Sequence, residues 1–99
     1  MSAAIRTETQ LPAGPAAAAV LLEPILSQVA GAGAEPLSLT IDYGAAGAAG
    51  LAVVVEVAID RTTRTLVFIH AEVLGAADRV VIASGTAIFR RPIEGQAGA

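Results

Sequence analysis

The stretch Pro15–Ala30, PAAAAVLLEPILSQVA, constrains this chain most. It is the one segment both long enough and apolar enough to make a buried helix. Everything after residue 36 reads as strand, and strands with one apolar face need a partner to cover it. Val20, Leu21, Leu22, Ile25, Leu26 and Val29 point in nearly all directions around the helix, which predicts burial on most sides. Two residues break the pattern. Glu23 is the only charged residue of the stretch, and Pro24 follows it directly. A carboxylate on an apolar helix costs free energy unless it is solvated, paired or used. Proline inside a helix removes the hydrogen bond to the carbonyl four residues back, at Val20, and costs about 3 kcal/mol. Either the helix continues with a kink at residues 20–24, or a second helix begins at Pro24. Both put Glu23 at a backbone irregularity.

The 99 residues suit one domain over 1–99. The chain has no cysteine, which excludes disulfides and thiolate chemistry. Its net charge of −3 argues against nonspecific nucleic-acid binding, which depends on basic surface. No unbroken apolar run of about 18 residues marks a membrane span, and the N-terminus lacks the apolar core of a signal peptide. The expectation is a soluble cytoplasmic protein. Charged residues make up only 15% of the chain, too few to cover a monomer well, so a homo-oligomer that hides apolar sheet surface is expected.

Ala3–Gln10 alternates weakly and reads as a first strand or a tail. Leu11-Pro12-Ala13-Gly14-Pro15 is a stiff turn, with Pro15 suited to the first helical position. Gly31-Ala32-Gly33 ends the helix. Four strands follow, Leu37–Tyr43, Leu51–Asp60, Arg64–Leu74 and Arg79–Arg90. Their alternation assigns Leu37, Leu39, Ile41 and Tyr43, then Leu51, Val53, Val55, Val57 and Ile59, then Val67, Ile69, Ala71 and Val73 to apolar faces. The loop Gly44–Gly50, GAAGAAG, lacks the Lys-Ser/Thr of a phosphate loop and opens a strand, not a helix. Arg61-Thr62-Thr63 and Gly75-Ala76-Ala77-Asp78 read as hairpin turns. The last strand is interrupted at Ser84-Gly85-Thr86, where glycine suggests a bulge, a bend or the close approach of another backbone. Leu66, Phe68, Val80, Ile82 and Ile88 offer a second apolar surface, which keeps a tetramer open. Residues 1–4 and 92–99 read as frayed. The order gives an α+β fold, one central helix wrapped by a curved antiparallel sheet of about five strands.

The runs LSLTIDY (37–43), LAVVVEVAIDRTTRTLVFIHAEV (51–73) and RVVIASGTAIFRR (79–91) resemble the sheet half of the hotdog-fold acyl-CoA thioesterase superfamily. The resemblance implies a homodimer joined edge to edge, with an acyl thioester bound at the seam and no cofactor beyond coenzyme A as part of the substrate. It also implies a His-Gly-Gly turn before the helix and a helical acid serving as nucleophile or general base. Here the turn is Ala13-Gly14-Pro15, without histidine, so Gly14 alone matches. Glu23 lies about one residue from the place of the acid. The β-hydroxyacyl-thioester dehydratases are similar through Pro12-Ala13-Gly14-Pro15 and Val20-Leu21-Leu22-Glu23, but Gln10 stands where they need a histidine. A non-catalytic hotdog dimer, binding or structural, is the rival from another class.

The candidate catalytic residue is therefore Glu23. Burial would tune such a carboxyl for proton transfer; the bland alternative is a solvated or capping carboxylate at a helix bend. Gly14 is a candidate for the oxyanion turn. Arg61 and Arg64 are candidates for coenzyme A phosphates, or are simply solvated turn residues. Ser84, Gly85 and Thr86 could line an acyl tunnel, or merely form a bulge. His70 reads as a hydrogen-bonded surface or interface histidine on the face away from the helix. Asp42 reads as a solvated carboxylate. One histidine and scattered acids make no metal-ligand set.

Overall fold

The structure, a computed structural model, describes residues 4–92. Its elements run β1 (Ala4–Gln10), α1 (Ala17–Ala30), β2 (Glu35–Tyr43), β3 (Ala52–Thr62), β4 (Leu66–Gly75) and β5 (Val81–Arg90). The strands form one antiparallel sheet in the order β1-β3-β4-β5-β2. The sheet curves around α1, which is the hotdog layout. The expected frayed ends at 1–3 and 93–99 lie outside the described residues, and Ala4 begins β1. Among the described residues no helix is long and apolar enough to cross a membrane.

Alternation fixes which residues meet the helix. Val53, Val55 and Val57 of β3, and Val67, Ile69, Ala71 and Val73 of β4, are all buried against it. From β5 come Ala83, Ala87 and Phe89, while Leu39 and Ile41 of β2 and Ile59 of β3 pack at the margin of the core; Leu37, Tyr43 and Leu51, expected on that face, lie at strand ends beyond the helix's cover and are exposed. Such a face is near-continuous Val, Ile and Ala, which suits a pleated surface buried on one side.

The helix departs from expectation at its start and around its circumference. It begins at Ala17, with Pro15 and Ala16 in a preceding turn closed by the Ala17 amide donating to the Gly14 carbonyl at 3.2 Å. It then continues through Pro24 as one element. The proline lies on the exposed side, and Val20, whose carbonyl loses its partner, is 59% exposed. Water can reach that carbonyl, which offsets part of the cost. Only Ala18, Leu22 and Leu26 are fully buried, a stripe at four-residue spacing. Leu21, Ile25 and Val29 are half-buried, so the expectation of burial on most sides is corrected. One sheet can cover only one side of a helix.

The last strand is also corrected. Ser84, Gly85 and Thr86 pair in unbroken register with Glu72, Ala71 and His70, so no bulge lies there. Gly85 instead faces the helix, where an added Cβ would lie 3.3 Å from a Leu22 methyl. The close approach expected of another backbone is made instead by a side chain of the helix. Irregularities fall elsewhere, between Pro36 and Ser38, Ile59 and Arg61, and Val73 and Leu74. The last of these turns Ile82 inward to join the core, and Val80 lies before β5 begins. The outer face keeps only Leu66, Phe68 and Ile88 of the second apolar surface, all half-buried.

Candidate functional site

Glu23 follows Leu22 on α1 and precedes Leu26 by one turn, so it borders the buried stripe. That position aims it along a groove between α1 and the edge strand β2. The groove is lined by Glu23, Leu26, Pro36, Leu37, Ser38, Leu39, Ala87 and Phe89 and encloses about 230 Å³. All but Glu23 and Ser38 are apolar. The carboxylate is exposed in the protomer, so the burial expected from the sequence is absent there. One wall of the groove is β2, which pairs with β5 and leaves its other edge open.

Gly14 sits elsewhere. It has φ +104°, a conformation that favours glycine, in the turn before the helix. With Leu11, Pro15, Ala18, Tyr43 and the Gly44–Gly47 loop it lines a second apolar cleft. The Tyr43 hydroxyl donates to the Pro15 carbonyl at 3.3 Å and closes one side. The helix start behind it is uncapped, since Ala16 offers no side-chain acceptor and the first turn holds no acid. The Ala17 amide is taken by the Gly14 carbonyl, and no side chain caps the amides of Ala18 and Ala19 that follow. From Ala16 to Glu23 the helix rises about 10 Å. Within one protomer, then, Gly14 and Glu23 stand at opposite ends of β2, Gly14 by Tyr43 and Glu23 by Pro36–Leu39.

Of the other candidates, Gly85 packs under Leu22. Ser84 and Thr86 point to the outer face, away from the groove, as do their cross-strand neighbours Glu72 and His70. His70 is exposed and meets Asp60 through Nδ1. It therefore lies on the far side of the sheet from Glu23, and no other histidine exists in the chain. Asp42 is exposed on the outer face of β2. Arg61 lies over the Phe68 ring at 5.7 Å, and Arg64 is exposed in the β3–β4 turn. Among the described residues no group of three or more metal-ligating side chains gathers.

Sequence reasoning missed the groove walls Leu26, Pro36, Leu37 and Phe89, because they come from three elements. It also passed over Arg90 and Arg91, whose signal was a basic doublet closing the last strand.

A search of curated protein sequences found no match to the chain. Solved structures share its fold. Zebra fish thioesterase superfamily member 2 superimposes with a TM-score of 0.79 at 18% identity, over 88% of this chain and 73% of that one. Thioesterase superfamily member 2 from Mus musculus gives 0.76 at 15% identity, over 88% and 74%. A 1,4-dihydroxy-2-naphthoyl-CoA thioesterase from Synechocystis gives 0.66 at 14% identity, over 89% and 81%. The sequence itself matches the profile of the acyl-CoA thioesterase N-terminal domain across residues 6–90, nearly all of the sheet and the whole helix, and the chain belongs to that family.

Proposed function

We propose that this chain hydrolyses an acyl thioester, with Glu23 as general base at a seam between two copies. The observation that carries the reading is the placement of the helix's one acid in an apolar groove walled by an open strand edge. Water attacks the thioester carbonyl carbon while the Glu23 carboxylate takes its proton. The tetrahedral oxyanion then collapses, the carbon–sulfur bond breaks, and the thiolate leaves and is protonated. The products are a carboxylic acid and a thiol.

Two copies reconcile the separation of Glu23 and Gly14. If β2 pairs with its own copy, the two-fold axis makes the strands antiparallel. The Pro36–Leu39 end of one β2 then lies beside the Tyr43 end of the other. Glu23 of one protomer thereby meets the partner's Gly14 and uncapped helix start, which would hold the oxyanion. The β2 edge suits this pairing, because its six residues Pro36–Ile41 carry no charge. The opposite edge, β1, places Arg6 and Glu8 mid-strand, which blunts it.

The first test is thiol release from a panel of short, aromatic and long acyl-CoAs. No turnover together with no binding by calorimetry would remove the reading. A complementation test then addresses the shared site. Glu23→Gln and Gly14→Val, each inactive alone, are unfolded together, refolded as a mixture and assayed. Half the dimers then carry one intact site, so activity recovers to roughly a quarter of wild type. No recovery from mixtures shown to contain heterodimers would place both residues in one protomer.

The strand edge is tested separately. Leu37, 46% exposed beside the open edge, is changed to Glu. Acids brought to a two-fold seam repel across it by several kcal/mol. The dimer dissociation constant should rise by roughly 100-fold or more in analytical ultracentrifugation, and activity should fall with it. A Leu37→Glu protein that remains dimeric at wild-type affinity would move the interface elsewhere.

A non-catalytic dimer has one specific observation in its favour, the missing histidine of the Ala13-Gly14-Pro15 turn. It predicts acyl thioester binding, or none, without turnover. A dehydratase is disfavoured because the only histidine, His70, faces away from Glu23.

A further inference from the structure

The sheet ends in β2 on one side and β1 on the other, and α1 covers only part of its width. The helix packs on β2, β3, β4 and β5 but not on β1. A groove of about 350 Å³ is left between them, lined by Ile5 and Thr7 of β1 and by Ile25, Gln28 and Val29 of α1. Ile5 is 44% exposed there. β1 pairs with β3 in unbroken register, and just past its end the Leu11 amide donates to the Leu51 carbonyl at 2.9 Å. In an antiparallel pair the backbone groups point toward the neighbour at alternate residues. Ile5, Thr7 and Thr9 therefore bond to β3 as Leu11 does, and the backbone N–H and C=O groups of Arg6 and Glu8 face the open edge.

Charges in mid-strand turn an uncharged strand away from such an edge. They do not turn away every strand. Arg6 and Glu8 are exposed on the outer face, with opposite signs, on either side of Thr7. Neither makes an ion pair among the described residues, and Glu56, opposite Arg6 on β3, is held by Arg79 at 3.2 Å. A second β1 related by a two-fold axis through Thr7 runs antiparallel to the first. It sets Arg6 of each copy opposite Glu8 of the other, and Ile5 opposite Thr9. Both charges are then met on each side of the axis. The same register makes Arg6 and the opposing Glu8 the pair that exchanges backbone hydrogen bonds, through the groups the β3 pairing leaves free. Moving the axis one residue, to Arg6 or to Glu8, sets like charges opposite each other.

We infer that the β1 edge pairs with β1 of a second copy of this chain, two-fold about Thr7, at the side of the sheet opposite β2. The inference depends neither on thioester hydrolysis nor on the β2 seam. Arg6 and Glu8 act as a selector: they repel strands in other registers and accept their own antiparallel image. An axis through Thr7 normal to the sheet keeps both helices on one side of a continuous sheet. Ile5 and the groove beside Ile25 and Val29 then lie against the second copy. With β2 also paired, each chain uses both edges and the assembly grows beyond two copies; with β2 unpaired, β1 alone makes the dimer. The Glu23 groove lies by β2, so pairing at β1 leaves it open.

Sedimentation velocity over a series of protein concentrations reads the association of the wild type, Arg6→Glu, Glu8→Arg and Arg6→Glu/Glu8→Arg, with melting curves to check folding. Arg6→Glu sets acids opposite acids and Glu8→Arg sets arginines opposite arginines. Each should weaken one association step by roughly tenfold or more. Mixed in equal amounts, the two single variants should regain that step, because an acidic β1 then meets a basic one. The double variant should regain it too, although it keeps an acid opposite Glu56 inside each chain. That control separates pairing between chains from repulsion within one, and Glu8→Arg, opposite Val54, avoids Glu56 altogether. The absence of any step weakened by the single variants, no recovery on mixing, or no recovery in the double variant would each overturn the pairing. If Leu37→Glu changes nothing while Arg6→Glu dissociates the only dimer, the β1 pairing stands and the β2 seam of the shared site falls. If Leu37→Glu alone dissociates it, the reverse holds.

Discussion

Glu23→Gln lowers kcat for thioester hydrolysis by roughly 10²–10⁴-fold, the range supplied by a positioned general base. Glutamine keeps the size and the hydrogen-bonding oxygen of the side chain but cannot take a proton from water. Because Glu23 is exposed in the protomer and makes no ion pair among the described residues, the substitution leaves folding unchanged. The groove remains, since its walls come from Leu26, Pro36, Leu39 and Phe89. Substrate affinity should therefore hold while kcat and kcat/KM fall together, the pattern of an interaction used only in the transition state. Steady-state rates with the best acyl-CoA of the panel, beside matched melting curves, make the measurement. Turnover that survives the substitution would take Glu23 out of the mechanism.

The largest stability effect is expected at Leu22. It is fully buried, lies at the centre of the helix stripe and rests over Gly85. Leu22→Ala removes its transfer free energy and leaves a cavity, at a cost of about 2–5 kcal/mol. For a domain of this size the melting temperature falls by roughly 10 °C or more, read at fixed protein concentration because the proposed pairing of two copies would also contribute. Gly85→Ala alone puts its methyl 3.3 Å from the Leu22 methyl and crowds it. In the Leu22→Ala background the same methyl enters vacated space. The double variant should be more stable than the sum of the single effects by about 0.5 kcal/mol or more, as contacting residues couple. Strict additivity would show that Leu22 and Gly85 do not meet.

That pair shows where sequence reasoning stopped. A glycine in an apolar strand marks something close by, but nothing local says whether it is a bulge or another element. Ile82 carries the same lesson. Alternation placed it on the outer face, and one register irregularity turned it into the core. A shift of one residue exchanges the two faces of a strand. Most of the strand faces survived because Val53–Val57 pair without a break along β4, and Val67–Val73 without a break along β5.

The site was legible as residues and hidden as geometry. Glu23 stood out because a carboxylate on an apolar helix demands a reason. Its distance from Gly14 did not, since both belong to one short segment and only the run of β2 past them separates their clefts. Arg61 and Arg64 were visible beside a turn; their gathering with Arg90 and Arg91 was not.

By itself the sequence determined one apolar helix, an alternating set of strands and a lone acid between them, because periodicity and hydropathy are local properties of the chain. The tertiary structure decided which side of the helix is covered, which strand edge stays open and which distant arginines become neighbours. Those outcomes depend on pairing register and on the reach of one sheet around one helix, and both arise only when segments far apart in the chain meet.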